Sequence, residues 1–460
     1  MPVDTIIAHG DVVTPNSVRQ TSVAIDDGTI VALGTRDQLP AARRTVDASG
    51  KLVMPGVVDP HVHIDEVPEN RAGTYRAETR AAARGGVTTL IDFAWQGGDR
   101  RIPNNDKGLL DGIRNKRSKH QQSFVDFSVH GVLHRETEET LDELEAAVDA
   151  GVTSFKMFMS NYPVGVTNGF VNMAFNRIAE LDAVAAVHTE DPSICEALTA
   201  KFKREGRGEP DQYPLSRPDY TEAMAADDAL QMAVDKGVKY YGVHTTSEKA
   251  AETIASYQED ESHIRAETCT HYTTLDDSVY EERGTYPQIA PPIRKPRDIE
   301  AMFEHLEGGA LSVVSTDHSV YHEEYKAVDN WWESPFGANS LQASLPVFHD
   351  EAVNKRGYSY PFLVRLMCAN PAKTFGMPNK GTLEPGTDAD VVVFDPDDRY
   401  TITARDNESN STFSIYEGRE VSGKVHQTYL RGNLVWDDGA IVAEPGVGEF
   451  VERDLPEWTQ

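Results

Sequence analysis

Four histidines, one lysine and one aspartate stand at the ends of apolar runs spread over most of the chain. The runs are Val57-Val58-Asp59-Pro60-His61-Val62-His63, Ser154-Phe155-Lys156, Ala185-Ala186-Val187-His188, Tyr241-Gly242-Val243-His244 and Val313-Val314-Ser315-Thr316-Asp317. Neutral imidazole and carboxylate are good ligands for zinc and its neighbours, so this inventory fits a hydrolytic site built around two metal ions. His61 and His63 are two apart on a strand and leave on one face, with Val62 on the other. A His-x-His pair alone is a weak signal; after Met54-Pro55-Gly56, closing a first strand, it gains weight.

His188 or His244 alone would read as a core histidine bonded to a carbonyl. Two at equivalent strand ends, together with the His61/His63 pair, reverse that reading. His130, His134, His271, His318 and His322 fall off these positions or in loops. Of these, His271 and His318 border the expected mouth, where they could support the ligands from behind. Lys156 lies between Phe155, Met157 and Phe158, a costly place for an ammonium group. Either its stem packs while the amine reaches water, or the uncharged amine adds carbon dioxide, losing a proton to give an anionic carbamate able to bridge two cations. Asp317 could cap the following segment; in this company it reads as a metal ligand and general base.

These residues need a frame that brings distant segments together. From Val57 onward strands alternate with helical stretches. Strand signals cover Val57–His63, Thr88–Phe93, Phe124–Val132, Thr153–Met159, Ala183–His188, Lys239–His244, Ile264–Cys269 and Leu311–Asp317. Helical stretches between them include Lys107–Lys119, Glu136–Asp149, Asn172–Leu181, Thr221–Lys236, Ser247–Tyr257 and Arg297–Leu306, several ending at glycine. Eight such units predict an α/β fold with a closed (β/α)8 TIM-like barrel, whose active site lies at the C-terminal strand ends. An open doubly wound sheet would usually carry a glycine-rich phosphate loop, and none is present. Short strands at Thr5–Ala8, Ser22–Ile25 and Ile30–Leu33, and again at Asp390–Asp395 and Gly423–Tyr429, predict a second all-β domain built from both chain ends. The expected division is 1–53 with 381–435 for that domain, 54–380 for the barrel, and a tail 436–460 running over a surface or a neighbouring subunit.

The bulk numbers narrow the partners. The 460 residues carry 44 Lys and Arg against 74 Asp and Glu, a formal charge of −30. That balance repels nucleic acid and anionic membranes, and the scattered acids read as a solvated shell. Cys195, Cys269 and Cys368 are too few and too separated for a disulfide framework, which points to a reducing compartment. With no signal-like N-terminus and no apolar run long enough to span a bilayer, a soluble, cytoplasmic protein is expected.

With these residues placed, the chain resembles the amidohydrolase superfamily, and within it the hydantoinase/dihydropyrimidinase family of cyclic amidases. The motifs are Pro55–His63, Gly151–Met159, Val187-His188-Thr189-Glu190, Leu215-Ser216-Arg217-Pro218, Glu267-Thr268-Cys269, Leu275-Asp276-Asp277-Ser278 and Pro291-Pro292-Ile293-Arg294. They continue through Ser315-Thr316-Asp317-His318, Asn370–Gly376, Gly386–Asp390 and Tyr416-Glu417-Gly418. The resemblance implies a barrel with a β-sandwich formed by both chain ends, in a homotetramer. It also implies two divalent ions, zinc or else manganese or cobalt. His61, His63, carbamylated Lys156 and Asp317 would hold one, and His188 and His244 the other with the carbamate bridging. The implied reaction opens a small-molecule cyclic amide, a dihydropyrimidine or hydantoin ring, to an N-carbamoyl amino acid by a metal-bridging hydroxide, with Asp317 relaying the proton.

Three substrate-pocket positions depart from the family pattern. Its usual tyrosine place is Asn161 here, with Tyr162 next; Ala290 replaces a serine before Pro291; and Ser334-Pro335-Phe336-Gly337 replaces its usual Ile-Pro-Asn-Gly segment. Tyr162, Ala290 and Phe336 are therefore the expected substrate-binding positions, and Phe336 suggests a more apolar ring substituent. Among relatives, dihydroorotases commonly carry Arg two residues after the second histidine and allantoinases often Asn; Asp65 stands there and would repel a substrate carboxylate. Allantoinase-like ring opening remains an alternative reading, as does a non-catalytic dihydropyrimidinase-like scaffold, although all six ligand positions are filled.

Overall fold

The computed structural model describes residues 1–65, 70–98 and 108–458. The N-terminal segment forms β1 (Val3–Val13), β2 (Val18–Asp26), β3 (Thr29–Gly34), β4 (Ala42–Asp47) and β5 (Leu52–Pro55). The barrel elements are β6 (Val57–Asp59), β7 (Val62–His63), β8 (Val87–Trp95), β9 (Asp126–Val132), β10 (Ser154–Met159), β11 (Val184–Thr189), β12 (Lys239–Gly242), β13 (Ile264–Cys269), β14 (Val313–Ser315) and β15 (His318–Ser319). The chain closes with β16 (Val391–Thr401), β17 (Glu420–Leu430), β18 (Asn433–Asp437) and β19 (Ala440–Ile441).

The eight strands β6 and β8–β14 pair in parallel and in sequence order, β6 to β8 and onward to β14. They fall where the alternating pattern predicts. The seam between β14 and β6 is closed one level up, where β15 pairs with β7 in parallel, His318 opposite Val62 and Ser319 opposite His63. Asp59 clasps the same seam: its carboxylate accepts the Thr316 hydroxyl at 2.6 Å and the His61 amide at 3.1 Å. The lumen is filled by Val58, Ile91, Val184, Ala186, Tyr241 and Val243, packed on Phe375, as a barrel of this size requires.

Helices Pro192–Glu205, Asp219–Lys236 and Pro296–Gly308 stop at a glycine free to turn left. Asp219–Lys236 ends at Gly237, at φ 65°, a conformation that costs glycine nothing. The Glu136–Asp149 stretch is interrupted, giving helices Glu138–Asp142 and Leu144–Asp149. The Lys107–Lys119 stretch gives Leu109–Arg117, and Lys107 lies outside the described residues. Among the described residues no helix is long and apolar enough to cross a membrane.

The chain ends share a nine-stranded sheet, ordered β19-β18-β17-β16-β5-β1-β2-β3 with β4 beside β1. It is mostly antiparallel, but β4 and β5 run parallel to β1. Ile7, Val23, Ile25 and Ile30 from its first half meet Val391, Val393 and Tyr429 from its second in one apolar cluster, so the sheet folds back on itself. Lys380 fastens it to the barrel, with Nζ 2.6 Å from Asp126 on β9 and 2.9 Å from Asp390.

The last residues, read in the sequence as crossing a surface or a neighbouring subunit, dock on this chain's own barrel. Val451 donates its amide to Phe127 O at 2.7 Å and Phe127 donates to Glu449 O at 2.9 Å. Arg453 is buried, with Nε 2.9 Å from Ser128 Oγ and Nη2 2.6 Å from Val129 O. Hydrogen bonds from a charged group contribute about 1.5–3 kcal/mol each. Arg453→Ala is therefore expected to cost about 2–4 kcal/mol in urea unfolding; a loss below about 0.5 kcal/mol would show that the tail is not part of the barrel's packing.

Candidate metal centre

The four histidines converge at the C-terminal mouth of the barrel. The ring centroids of His61 and His63 are 5.3 Å apart, those of His61 and His244 5.2 Å, and those of His188 and His244 4.6 Å. Asp317 joins the first pair, its Oδ1 lying 3.2 Å from Nε2 of both His61 and His63. Donor atoms of His61, His244 and Asp317 lie within 4.8 Å of one another. His244 and Asp317 both adopt positive φ, 39° and 45°. Such backbone costs roughly 1–3 kcal/mol in a non-glycine residue and concentrates at functional sites.

Carboxylates behind two of the rings set their tautomers. His61 Nδ1 is 2.5 Å from Glu267 Oε1, so Nδ1 carries the hydrogen and Nε2 faces inward with a free lone pair. His188 Nε2 is 2.9 Å from Glu190 Oε2, which turns Nδ1 toward His244 Nε2 at 2.8 Å. Burial holds His61 and His244 well below the ordinary imidazole range, with neighbouring cationic groups adding to it. Burial lowers His188 too, against the pull of Glu190. Neutral imidazoles are what a metal needs. Burial works against Glu190, yet the Arg217 guanidinium at 2.9 Å brings that carboxyl down to about 2.

Lys156 is fully buried. Its Nζ lies 4.8 Å from the centroid of Phe158 and 5.7 Å from that of Phe93. Phe93 in turn stacks on His63 at 4.2 Å. The donor set therefore fits divalent cations: inward lone pairs of neutral imidazoles, a carboxylate between two of them, and a lysine walled by aromatic rings. The other acidic group, Asp126, Asp388 and Asp390, is balanced by Lys380 and Arg431 and is structural.

Of the three pocket positions, the structure brings two together. Tyr162 lies 5.5 Å from His188 and 5.2 Å from Phe336, centroid to centroid. Arg217 covers both rings, at 5.0 and 5.2 Å, and the Tyr162 hydroxyl donates to Glu190 at 3.1 Å. Ala290 is buried; beside it, Tyr213 donates its hydroxyl to Ile289 O at 2.6 Å and stacks its ring on Phe336 at 5.6 Å. Asp65 does not stand free: it is 3.6 Å from both Lys116 Nζ and Arg71 Nη2. His318 holds the loop behind the ligands, with Nε2 2.9 Å from Glu78 and Nδ1 accepting the Ser340 amide at 3.1 Å.

Glu267, Glu190, Arg217 and Asp59 were assigned no site role from sequence, although each sits inside a quoted motif. A buried carboxylate on the inward face of β13 was the available signal for Glu267, by the logic applied to Lys156. For Glu190 the pH dependence is specific. Its folded-state pKa, about 2, lies below its ordinary value of 4.5, so it stabilises the fold above pH 4.5 and that contribution fades as pH falls toward 2. In chelator-treated protein the stability gap between wild type and Glu190→Gln should narrow below pH 4.5. A gap that stays constant there would exclude an ionised Glu190 held by Arg217.

The amidohydrolase family model matches residues 52–435. An allantoinase from Salmonella choleraesuis is 33% identical over 460 residues, covering 98% of this chain and 99% of that protein. A D-hydantoinase structure matches with TM-score 0.93 at 32% identity, covering 100% of both chains. The dihydropyrimidinase of Brevibacillus agri matches with TM-score 0.93 at 28% identity, covering 98% of this chain and 99% of its own. Sequence and structure comparisons agree over nearly the whole chain, and the chain belongs to the amidohydrolase family.

Proposed function

We propose that this protein is a binuclear metal-dependent hydrolase that opens a cyclic ureide, a hydantoin or dihydropyrimidine ring, to an N-carbamoyl product. The carrying observation is the meeting of His61, His63, His188, His244 and Asp317 at one barrel mouth, with Lys156 buried beside Phe93, the ring that stacks on His63. His61, His63 and Asp317 would hold one cation and His188 and His244 the other, with Lys156 between them as a carbamate. Two cations so held would polarise a ring carbonyl and lower the pKa of water.

The chain's own residues account for the rest. Glu267 and Glu190 keep inward nitrogens unprotonated. Asp317, 10% exposed at its side chain, is placed to take a proton from the attacking water and deliver it to the departing ring nitrogen. Addition at the carbonyl carbon and cleavage of the ring C–N bond then leave a carboxylate and a carbamoyl amine.

Tyr162 and Phe336, roofed by Arg217, form an aromatic shelf beside His188. The polar ends of Arg217 are engaged by Glu190 and Asn161, both at 2.9 Å, so the shelf offers aromatic faces to a ring substituent. That favours an apolar or aryl-substituted hydantoin. A second reading has one specific support: allantoin is a hydantoin bearing a ureido group, and an allantoinase is among the relatives.

The purified protein is expected to bind about two equivalents of zinc, manganese or cobalt per chain. Lys156→Ala should lose both and all ring opening; full activity without added short carboxylic acids would contradict the bridging role. In parallel assays of hydantoin, phenylhydantoin, dihydrouracil and allantoin, kcat/KM should be highest for the aryl ring. Phe336→Ala should lower that value about tenfold relative to unsubstituted hydantoin. Allantoin as the best substrate would select the second reading, and a folded, metal-free protein inert to all four would select the scaffold.

A further inference from the structure

We propose that His130 is a positioning residue, a brace across the barrel lumen that fixes the separation between the His61/His63 pair and Lys156. The inference rests on the metal-dependent reading above. His130 lies on β9 and is buried. Its Nε2 is 2.8 Å from Pro60 O; a carbonyl only accepts, so Nε2 carries the hydrogen. Its Nδ1 therefore accepts the Ser154 hydroxyl, at 2.6 Å.

Each contact sits next to a ligand. The Pro60 carbonyl belongs to the peptide unit that begins His61. Ser154 is two residues before Lys156 on β10, so both side chains leave on one face. Between β6 and β10 the sheet interposes β8 and β9, and ladder bonds cannot set the distance between those two segments directly. The imidazole does so through the lumen.

Ring packing supplies a second connection. His130 stacks on Phe93 at 5.1 Å, and Phe93 stacks on His63 at 4.2 Å and lies 5.0 Å from His61. Phe375 closes the far side edge-on at 5.0 Å. The brace thus touches the peptide before one ligand and, through one ring, both histidines of the first pair. A core histidine with no such role would need one satisfied nitrogen pair anywhere in the lumen; this one spends both on the segments that carry ligands.

The test replaces one interaction at a time and reads metal binding. His130→Phe keeps a ring in the stack and loses both hydrogen bonds; Ser154→Ala loses one and leaves the ring. Cobalt affinity is measured by competition with a chromophoric chelator, alongside the visible spectrum of the cobalt protein and thermal unfolding of the metal-free form. Residues that orient metal ligands typically cost about tenfold to a hundredfold in affinity when removed. His130→Phe should weaken cobalt binding by that factor and shift the spectrum, Ser154→Ala should do so to a smaller degree, and His130→Gln, which restores a donor toward Pro60 O, should recover part of the loss. Wild-type affinity and spectrum in both His130→Phe and Ser154→Ala, whatever their melting temperatures, would overturn the brace. Should His130→Phe not fold, Ser154→Ala alone decides by the same criterion. A wild-type protein that takes up no cobalt fails the metal-dependent reading instead, and the brace falls with it.

Discussion

One buried carboxylate ties the centre together. Glu267 on β13 accepts from His61 Nδ1 at 2.5 Å and from the His244 amide at 3.2 Å through Oε1, and from the Tyr241 hydroxyl at 2.8 Å through Oε2. The segment between β6 and β7 is thereby tied to β12 and β13 at the level where chemistry would occur. Burial pushes the Glu267 carboxyl up to about 7, against the donors aimed at it. A cation on the far nitrogen of His61 would favour the ionised form, since a positive charge nearby favours the anion. Metal binding at that nitrogen would thus be coupled to the charge of Glu267 through one imidazole.

That coupling only works if the barrel is closed where its first and last strands meet. The strands β6 and β14 are three residues each, too short to make a strong ladder. Side chains take over: Asp59 accepts the Thr316 hydroxyl and amide together with the His61 amide. The residue after Thr316 is Asp317, held at φ 45°. Strain at that position is sustained because Asp59 on one side and the β15–β7 pairing on the other leave the backbone little choice. Closure and ligand placement are one event, carried by the same few residues.

Much of this was legible in the chain. Runs of β-branched and apolar residues located the eight barrel strands, and five of those runs carry the residues proposed as ligands, because barrel geometry maps strand end onto active site. The supporting shell was not legible, for a physical reason. Glu267 acts on His61 across 206 residues, Arg217 on Glu190 across 27 and Glu190 on His188 across two, with no periodicity to reveal the pairing; only the three-dimensional crossing of strands creates it. The seat of the tail on the barrel was not legible for a related cause. Residues 447–458 carry no pattern, yet backbone hydrogen bonds to β9 and the guanidinium of Arg453 seat them on the barrel, and neither kind of contact requires one.

Asp65 shows where a charge argument from sequence needs correction. Its position suggested repulsion of a substrate carboxylate. In the fold its carboxylate is 6% exposed and lies between Lys116 and Arg71, while Lys116 also binds Asp92 at 2.6 Å. Two acids face two bases, so the patch carries little net field and Asp65 alone repels little. On the other side of Asp65, Arg71 lies 3.6 Å from that carboxylate, donates to the Ser319 hydroxyl and sits over the face of Tyr321 at 4.1 Å. With that patch balanced, the support for the proposed neutral ring lies in the aromatic shelf of Tyr162 and Phe336 across the mouth.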